Sequence, residues 1–126
     1  MTFVFDSGAL IALDRNDRAM WRRLKSALDA SEIPITHGGV IGQVWRGHGP
    51  RSTLLAKALA GVDVRPLDEE LGKRAGELLA RAKKSDVIDA ALVLLASDGD
   101  ALVTSAAGDL KALARVAGRL VELIEA

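Results

Sequence analysis

The sequence predicts an α/β protein, an α/β/α sandwich built on a mainly parallel central sheet of about five strands. Three observations predict it. Short apolar, often β-branched runs recur along the chain, helical segments separate them, and turn or capping residues mark the transitions. Strands that alternate with helices need crossover connections, and crossovers cover both faces of a parallel sheet.

The first run, Thr2 to Phe5, ends on Asp6 and passes through Ser7 and Gly8 into a short helix reaching Leu13. Asn16 or Asp17 caps a longer helix carrying Trp21, Leu24 and Leu28 with charges between them. Ser31 and Pro34 break it, and Ile33 to Thr36 reads as the second strand. Gly38 and Gly39 open a helical run with Val40, Ile41, Val44 and Trp45, which Gly47, Gly49 and Pro50 end because proline cannot continue a helix. Ser52 to Leu59 is helical again, and Val62 to Arg65 reads as the third strand.

Asp68 is a good N-cap for a helix from Glu69 to about Ala82, with Leu71, Leu78 and Leu79 inward. Ser85 is expected to cap the next helix, Asp86 to about Ala96, whose apolar residues run almost all round as in a buried element. Gly99 stops it. Ala101 to Thr104 then reads as a strand, Gly108 to Ala114 as a helix and Arg119 to Ile124 as the last strand.

A chain of 126 residues without repeats, linkers or low-complexity tracts is read as one domain over 1–126, long enough to bury a substantial core. Seventeen Lys plus Arg balance seventeen Asp plus Glu, so net charge points to no class of partner. The lack of cysteine excludes disulfides, thiolate nucleophiles and cysteine-ligated metals. No basic leader and no apolar run of roughly 18 residues occurs, so a cytoplasmic protein with no membrane partner is expected.

The candidate chemistry lies in acids at predicted strand ends. Asp6 closes the first strand, and ligands of open parallel sheets bind beyond the carboxyl ends of strands. Asp86 and Asp89 lie three apart at the start of the buried helix, on one face and near its positive end. Asp109 follows the strand ALVT and opens the next helix. If the strands are parallel neighbours, the four carboxylates converge. Two carboxylates about 4 Å apart repel by about 4 kcal/mol at an effective dielectric of about 20, so such a cluster needs a cation, a shared proton or solvation. Oxygen-only ligands suit Mg²⁺ or Mn²⁺, the metals of phosphodiester hydrolysis. The bland readings stand beside this one. Asp6 before Ser-Gly is also a capping pattern, and Asp86 and Asp109 are also first-turn acids favoured by the helix dipole. Asp89, among Ile88, Ala90 and Ala91, reads as a buried carboxylate that needs a partner.

The strand ending in DSGALIAL, the helical VIGQVWRG, the helix SDVIDAALV and the late LVTSAAGDL together resemble the PIN-domain ribonucleases, specifically the VapC-type toxins of prokaryotic toxin–antitoxin systems. The resemblance covers nearly the whole chain, in order. It implies a PIN-like fold and a Mg²⁺- or Mn²⁺-dependent endoribonuclease that acts on RNA as a homodimer and is neutralised by a small antitoxin across the acidic pocket. Carried over by position, Asp6 matches the family's first acid, Asp86 its third, Asp109 an acid of its last motif, and Asp89 a position acidic in some members. Gln43 falls where the family's second acid, normally Glu, stands. Thr104, Ser105 and Ala106 occupy the last motif's turn, where Ala106 replaces a customary polar ligand.

The resemblance thus implies catalytic and metal roles for Asp6, Asp86, Asp89 and Asp109, with Gln43 orienting water or substrate. The departures leave open a weakened or inactive protein that keeps only an antitoxin- or RNA-binding surface. A third reading, independent of family, is a doubly wound regulatory domain phosphorylated on Asp6. Trp45, Arg46, His48 and Arg51 form a basic, partly aromatic segment that could meet RNA or be an ordinary loop. Lys83 and Lys84 could steer phosphate or merely solubilise. His37, a lone His at a strand end, reads as a packing or solvent-facing residue rather than a catalytic one, and Glu77 as an acid of undetermined facing.

Overall fold

The computed structural model describes residues 1–47 and 52–126. Within them β1 (Phe3–Phe5), β2 (Ile35–His37), β3 (Asp63–Arg65), β4 (Ala101–Thr104) and β5 (Glu122–Glu125) form one sheet in the order β3-β2-β1-β4-β5. Every neighbouring pair is parallel, with Val4 opposite both Ile35 and Leu102, and Leu102 opposite Leu123. The helices are α1 (Ser7–Asp14), α2 (Arg18–Asp29), α3 (Gly38–Val44), α4 (Thr53–Leu59), α5 (Glu69–Ala82), α6 (Val87–Leu95) and α7 (Ala107–Ala117). This is the expected PIN-like α/β architecture.

Strand order determines where a ligand can enter. The chain runs outward from β1 to β2 and β3, then returns to the other side of β1 as β4 and β5. Right-handed crossovers place the helices after β1 and β2 on one face and those after β3 and β4 on the other. The packing agrees, because α1 meets α2, α3 and α4, whereas α5, α6 and α7 meet one another. The chain therefore leaves β1 and β4, adjacent central strands, toward opposite faces. Their carboxyl ends flank the crevice where the winding reverses.

The core follows from the same layering. Val4 and Phe5 of β1 and Leu102 and Val103 of β4 are buried between Leu10 and Leu13 of α1 and Leu92, Val93, Leu110 and Leu113 of α6 and α7. Four consecutive residues of α6, Ala90 to Val93, are buried, as expected of a helix apolar almost all round. Trp21 packs on the core and donates its indole N–H to the Leu13 carbonyl at 2.9 Å.

Several boundaries move. The second strand starts at Ile35 rather than Ile33, because Pro34 has no N–H to give a ladder and Ile33 lies in solvent. The last runs over Glu122–Glu125 rather than Arg119–Ile124: Gly118 closes α7 in the left-handed region, and Leu120 is 75% exposed before pairing with β4 begins. Helix α7 extends to Ala117, past the expected Ala114. Asp17, not Asn16, caps α2, and Asp68 caps α5 as expected. The expected Ser85 cap of α6 is corrected to Asp86, whose longer side chain places a carboxylate oxygen on the Asp89 N–H. The turn residues Gly49 and Pro50 lie outside the described residues. Among the described residues no helix is long and apolar enough to cross a membrane.

Candidate active site

Asp6 is fixed by its position between the two central strands. Its N–H donates to the Val103 carbonyl at 3.1 Å, which extends the β1–β4 ladder by one residue. Its side chain then caps α1, accepting the Ala9 N–H on Oδ1 at 3.1 Å, and Oδ2 accepts the Thr104 hydroxyl. That hydroxyl also accepts the Ala106 N–H at 2.8 Å. Asp6 is only 6% exposed and Thr104 is fully buried, so a charge-assisted bond clamps the carboxylate at the switch point. The capping reading of Asp6 is thus correct, and compatible with a site role because each carboxylate oxygen retains a lone pair.

The other acids arrive from the opposite face. A cleft is lined by Lys83, Lys84, Ser85, Asp86, Asp89 and Asp109, with Leu113 on its apolar side. Asp86 and Asp109 are exposed, and Asp89 is part-buried rather than buried as the apolar helix suggested. Lys84 Nζ lies 3.7 Å from Asp109 Oδ1, an exposed pair of the kind that contributes little stability.

Asp89 registers the cluster electrostatically. Burial, followed by the charges of Asp86, Asp6 and Asp109, lifts its pKa from 3.8 to about 6. Although Asp6 is not among the residues that line the cleft, Asp86, Asp6 and Asp109 thus all act on Asp89. Because the folded-state pKa exceeds the unfolded one, this acid imposes no cost below the unfolded value and weakens the fold as pH rises through about 6. Asp89→Asn should therefore raise stability above that pH, on the order of 1 kcal/mol once solvent screening is allowed for. The gain should vanish near pH 4. Urea melts at the two pH values check this, and a gain at the acid end alone would contradict it.

All candidate donors are carboxylate or hydroxyl oxygens, the set that suits a hard divalent cation. Among the described residues no three Asp, Glu, His or Cys form a ready-made metal cage. A hydrated ion such as Mg²⁺ needs only one or two carboxylates directly and keeps several waters, so the donor type is compatible with it although no such cage is formed. Asp6 and Asp86 each give one oxygen to a helix cap, which limits how many can bind directly.

The remaining sequence candidates are placed differently. Gln43 is exposed on α3 and does not line the cleft. Arg46 turns back on its own helix, donating to the Gly42, Gln43 and Trp45 carbonyls at 3.4, 2.8 and 2.8 Å. That is a C-terminal cap, a use of Arg that its place in a basic segment does not reveal. Arg51 and His48 lie outside the described residues, whereas Lys84 does line the cleft. Glu77 lines a different cleft with Arg74, Arg81 and Arg119, so it does not stand in for Gln43. Ala106 occupies the N-cap position of α7 without a side-chain bond.

Two supporting residues are visible only in three dimensions. His37 is fully buried at the end of β2, where its Nδ1 accepts the Gly39 N–H at 3.1 Å and its Nε2 lies 2.9 Å from the Ile88 carbonyl. Those partners require a neutral ring with the proton on Nε2, and burial lowers its pKa in the same sense. The ring ties the start of α3 to the residue before Asp89. At Gly8, a Cβ would stand 2.2 Å from Ser105 Oγ and 2.9 Å from its backbone nitrogen. That glycine lets α1 approach the turn that carries Thr104.

No protein-family model matches the chain, and no curated protein matches it by sequence. Among solved structures the chain is similar to one in the crystal structure of VapBC2 from Rickettsia felis bound to a DNA fragment from their promoter. The two superpose with a TM-score of 0.72 over 98% of each chain at 12% identity, a likeness that establishes the fold. The protein thus has a PIN-like fold, with Asp6 at its switch point and Asp86, Asp89 and Asp109 in a neighbouring cleft.

Proposed function

We propose that this protein is a VapC-like toxin, a Mg²⁺- or Mn²⁺-dependent endoribonuclease held in check by a cognate antitoxin. The observation that carries the reading is the cleft where Asp86, Asp89 and Asp109 meet, close enough to Asp6 at the end of β1 for all three charges to raise the pKa of Asp89. The fold shared with a chain of a VapBC2 structure supports the toxin–antitoxin setting and an antitoxin partner, and a homodimer in the cytoplasm belongs to the same proposal.

In this reading the four aspartates hold the cation, directly or through water, and Asp6 sets its place because the Thr104 clamp leaves that carboxylate the least freedom. When bound, the ion supplies charge neutralisation at the phosphodiester and lowers the pKa of water. Asp89, raised to about 6 without the cation, is ionised at neutral pH and available to hold the ion or to orient water in the cleft. Lys84 lies where an ammonium can meet a phosphate oxygen. Gln43 would orient water or substrate only from the margin, since it does not line the cleft.

Purified protein should cleave structured RNA with Mg²⁺ or Mn²⁺ and stop when EDTA is added, as gel electrophoresis of labelled transcripts would read. Cleavage undiminished by EDTA would refute the metal dependence.

A second reading has its own observation. Lys84 places an ammonium 3.7 Å from Asp109, Gln43 carries no charge where the resembled family has an acid, and Ala106 carries no polar group where it has one. A non-catalytic module whose cleft receives an Arg or Lys from its antitoxin would use the same geometry. Absence of cleavage under any divalent metal, with antitoxin binding intact, would favour it.

A further inference from the structure

A second cleft runs between α5 and the end of α7. Arg74, Glu77 and Arg81 of α5, Leu94 of α6 and Arg119 just beyond α7 line it, with Ala80 and Ala117 at its margin. Three guanidinium groups here face one carboxylate, and none of the three makes a side-chain hydrogen bond or ion pair among the described residues. This is not for want of acids. Glu70 and Glu77 each stand four residues before an arginine, the spacing that favours pairing, and one turn away Lys73 and Glu69 do pair at 2.8 Å. The arginines that line the cleft stay open. The Nε of Arg119 is also shielded from solvent and has no partner, an arrangement that leaves a donor unsatisfied unless an acceptor enters from outside.

The position of this cleft gives the anion a source. Ala80 and Arg81 are followed within one turn by Lys83 and Lys84, which line the acid cleft, and Ala117 lies one helical turn beyond Leu113, which also lines it. The two clefts occupy successive turns of the same pair of helices. We propose that the arginine cleft is a phosphate subsite, holding the backbone of a nucleic acid strand whose neighbouring phosphate lies at the acid cleft. Guanidinium forks match phosphate oxygens two at a time, and no protein acceptor among the described residues occupies those of Arg74, Arg81 or Arg119. The subsite rests on the nuclease reading for its substrate, and its test is separable from that reading.

The test is binding of a fluorescein-labelled single-stranded RNA oligonucleotide, followed by anisotropy in EDTA across a salt series. The double variant Arg81→Gln/Arg119→Gln should bind about tenfold more weakly than wild type, and its slope of log affinity against log salt should flatten by about 0.7 for each phosphate that the arginines no longer neutralise. Glu77→Gln should bind a few-fold more tightly, a gain that misfolding cannot mimic. Equal affinity and slope for wild type and the double variant, or no RNA binding by wild type, would overturn the subsite. Displacement of the RNA by polyglutamate from wild type but not from the double variant would assign the cleft to an acidic protein segment and overturn it as well. RNA bound through these arginines by a protein that never cleaves with added metal would refute the nuclease reading and leave the subsite standing.

Discussion

Asp6→Asn should abolish RNA cleavage, by about a hundred- to a thousandfold, while leaving the protein folded. The substitution keeps the shape and the cap, because an amide oxygen can still accept the Ala9 N–H. It removes the charge and reverses the polarity at Oδ2, where an NH₂ would meet a Thr104 hydroxyl that already accepts the Ala106 N–H. The folding cost should be on the order of 1 kcal/mol, the usual net worth of one hydrogen bond. Activity and stability thus separate in this variant. Cleavage assays and urea melts on the same preparation read both, and an Asp6→Asn protein that cleaves like wild type would remove Asp6 from the site.

Gly8→Ala should act in the opposite proportion, weakening the fold first and activity through it. Alanine is the better helix former, by about 1 kcal/mol in a helix interior and less at the first turn where Gly8 sits. Against that gain stands a Cβ placed 2.6 Å from the Ser105 Cβ and 2.9 Å from its backbone nitrogen. Overpacking of this kind typically costs about 1–3 kcal/mol, so the steric term wins. The turn must then move, and it carries Thr104, which holds Asp6. Misplacement of a catalytic group by about 1 Å can lower rate by about a hundredfold. Ser105→Gly should recover part of both losses, since it removes the side-chain atoms of the clash. No change in stability or rate for Gly8→Ala would show that α1 and the turn are not in close contact.

These residues also show what the sequence could and could not disclose. The layered fold was legible because Val4, Phe5, Leu102 and Val103 fall in short apolar runs separated by helical patterns, and burial on both strand faces follows from that. Strand ends were less so, since Ile33 and Leu120 carry the composition of a strand while the ladder passes them by. The convergence of the acids was legible only conditionally: it needed β1 and β4 to be neighbours, which composition cannot fix. Asp6 and Asp86 are caps as well as site acids, and the cap reading alone would have hidden them. Gly8 and the link from His37 to Ile88 have no local signature, because Ser105 and Ile88 lie on other elements, and the cleft of Arg74 and Arg81 is completed only by Leu94 and Arg119 from elsewhere in the chain.

Isothermal titration of the wild-type protein with Mn²⁺ tests most directly whether the four aspartates hold a metal. Saturable binding at or below millimolar metal is expected, accompanied near pH 6 by release of a proton to the buffer as the cation displaces it from Asp89. No binding at millimolar Mn²⁺ would contradict a metal site at the switch point.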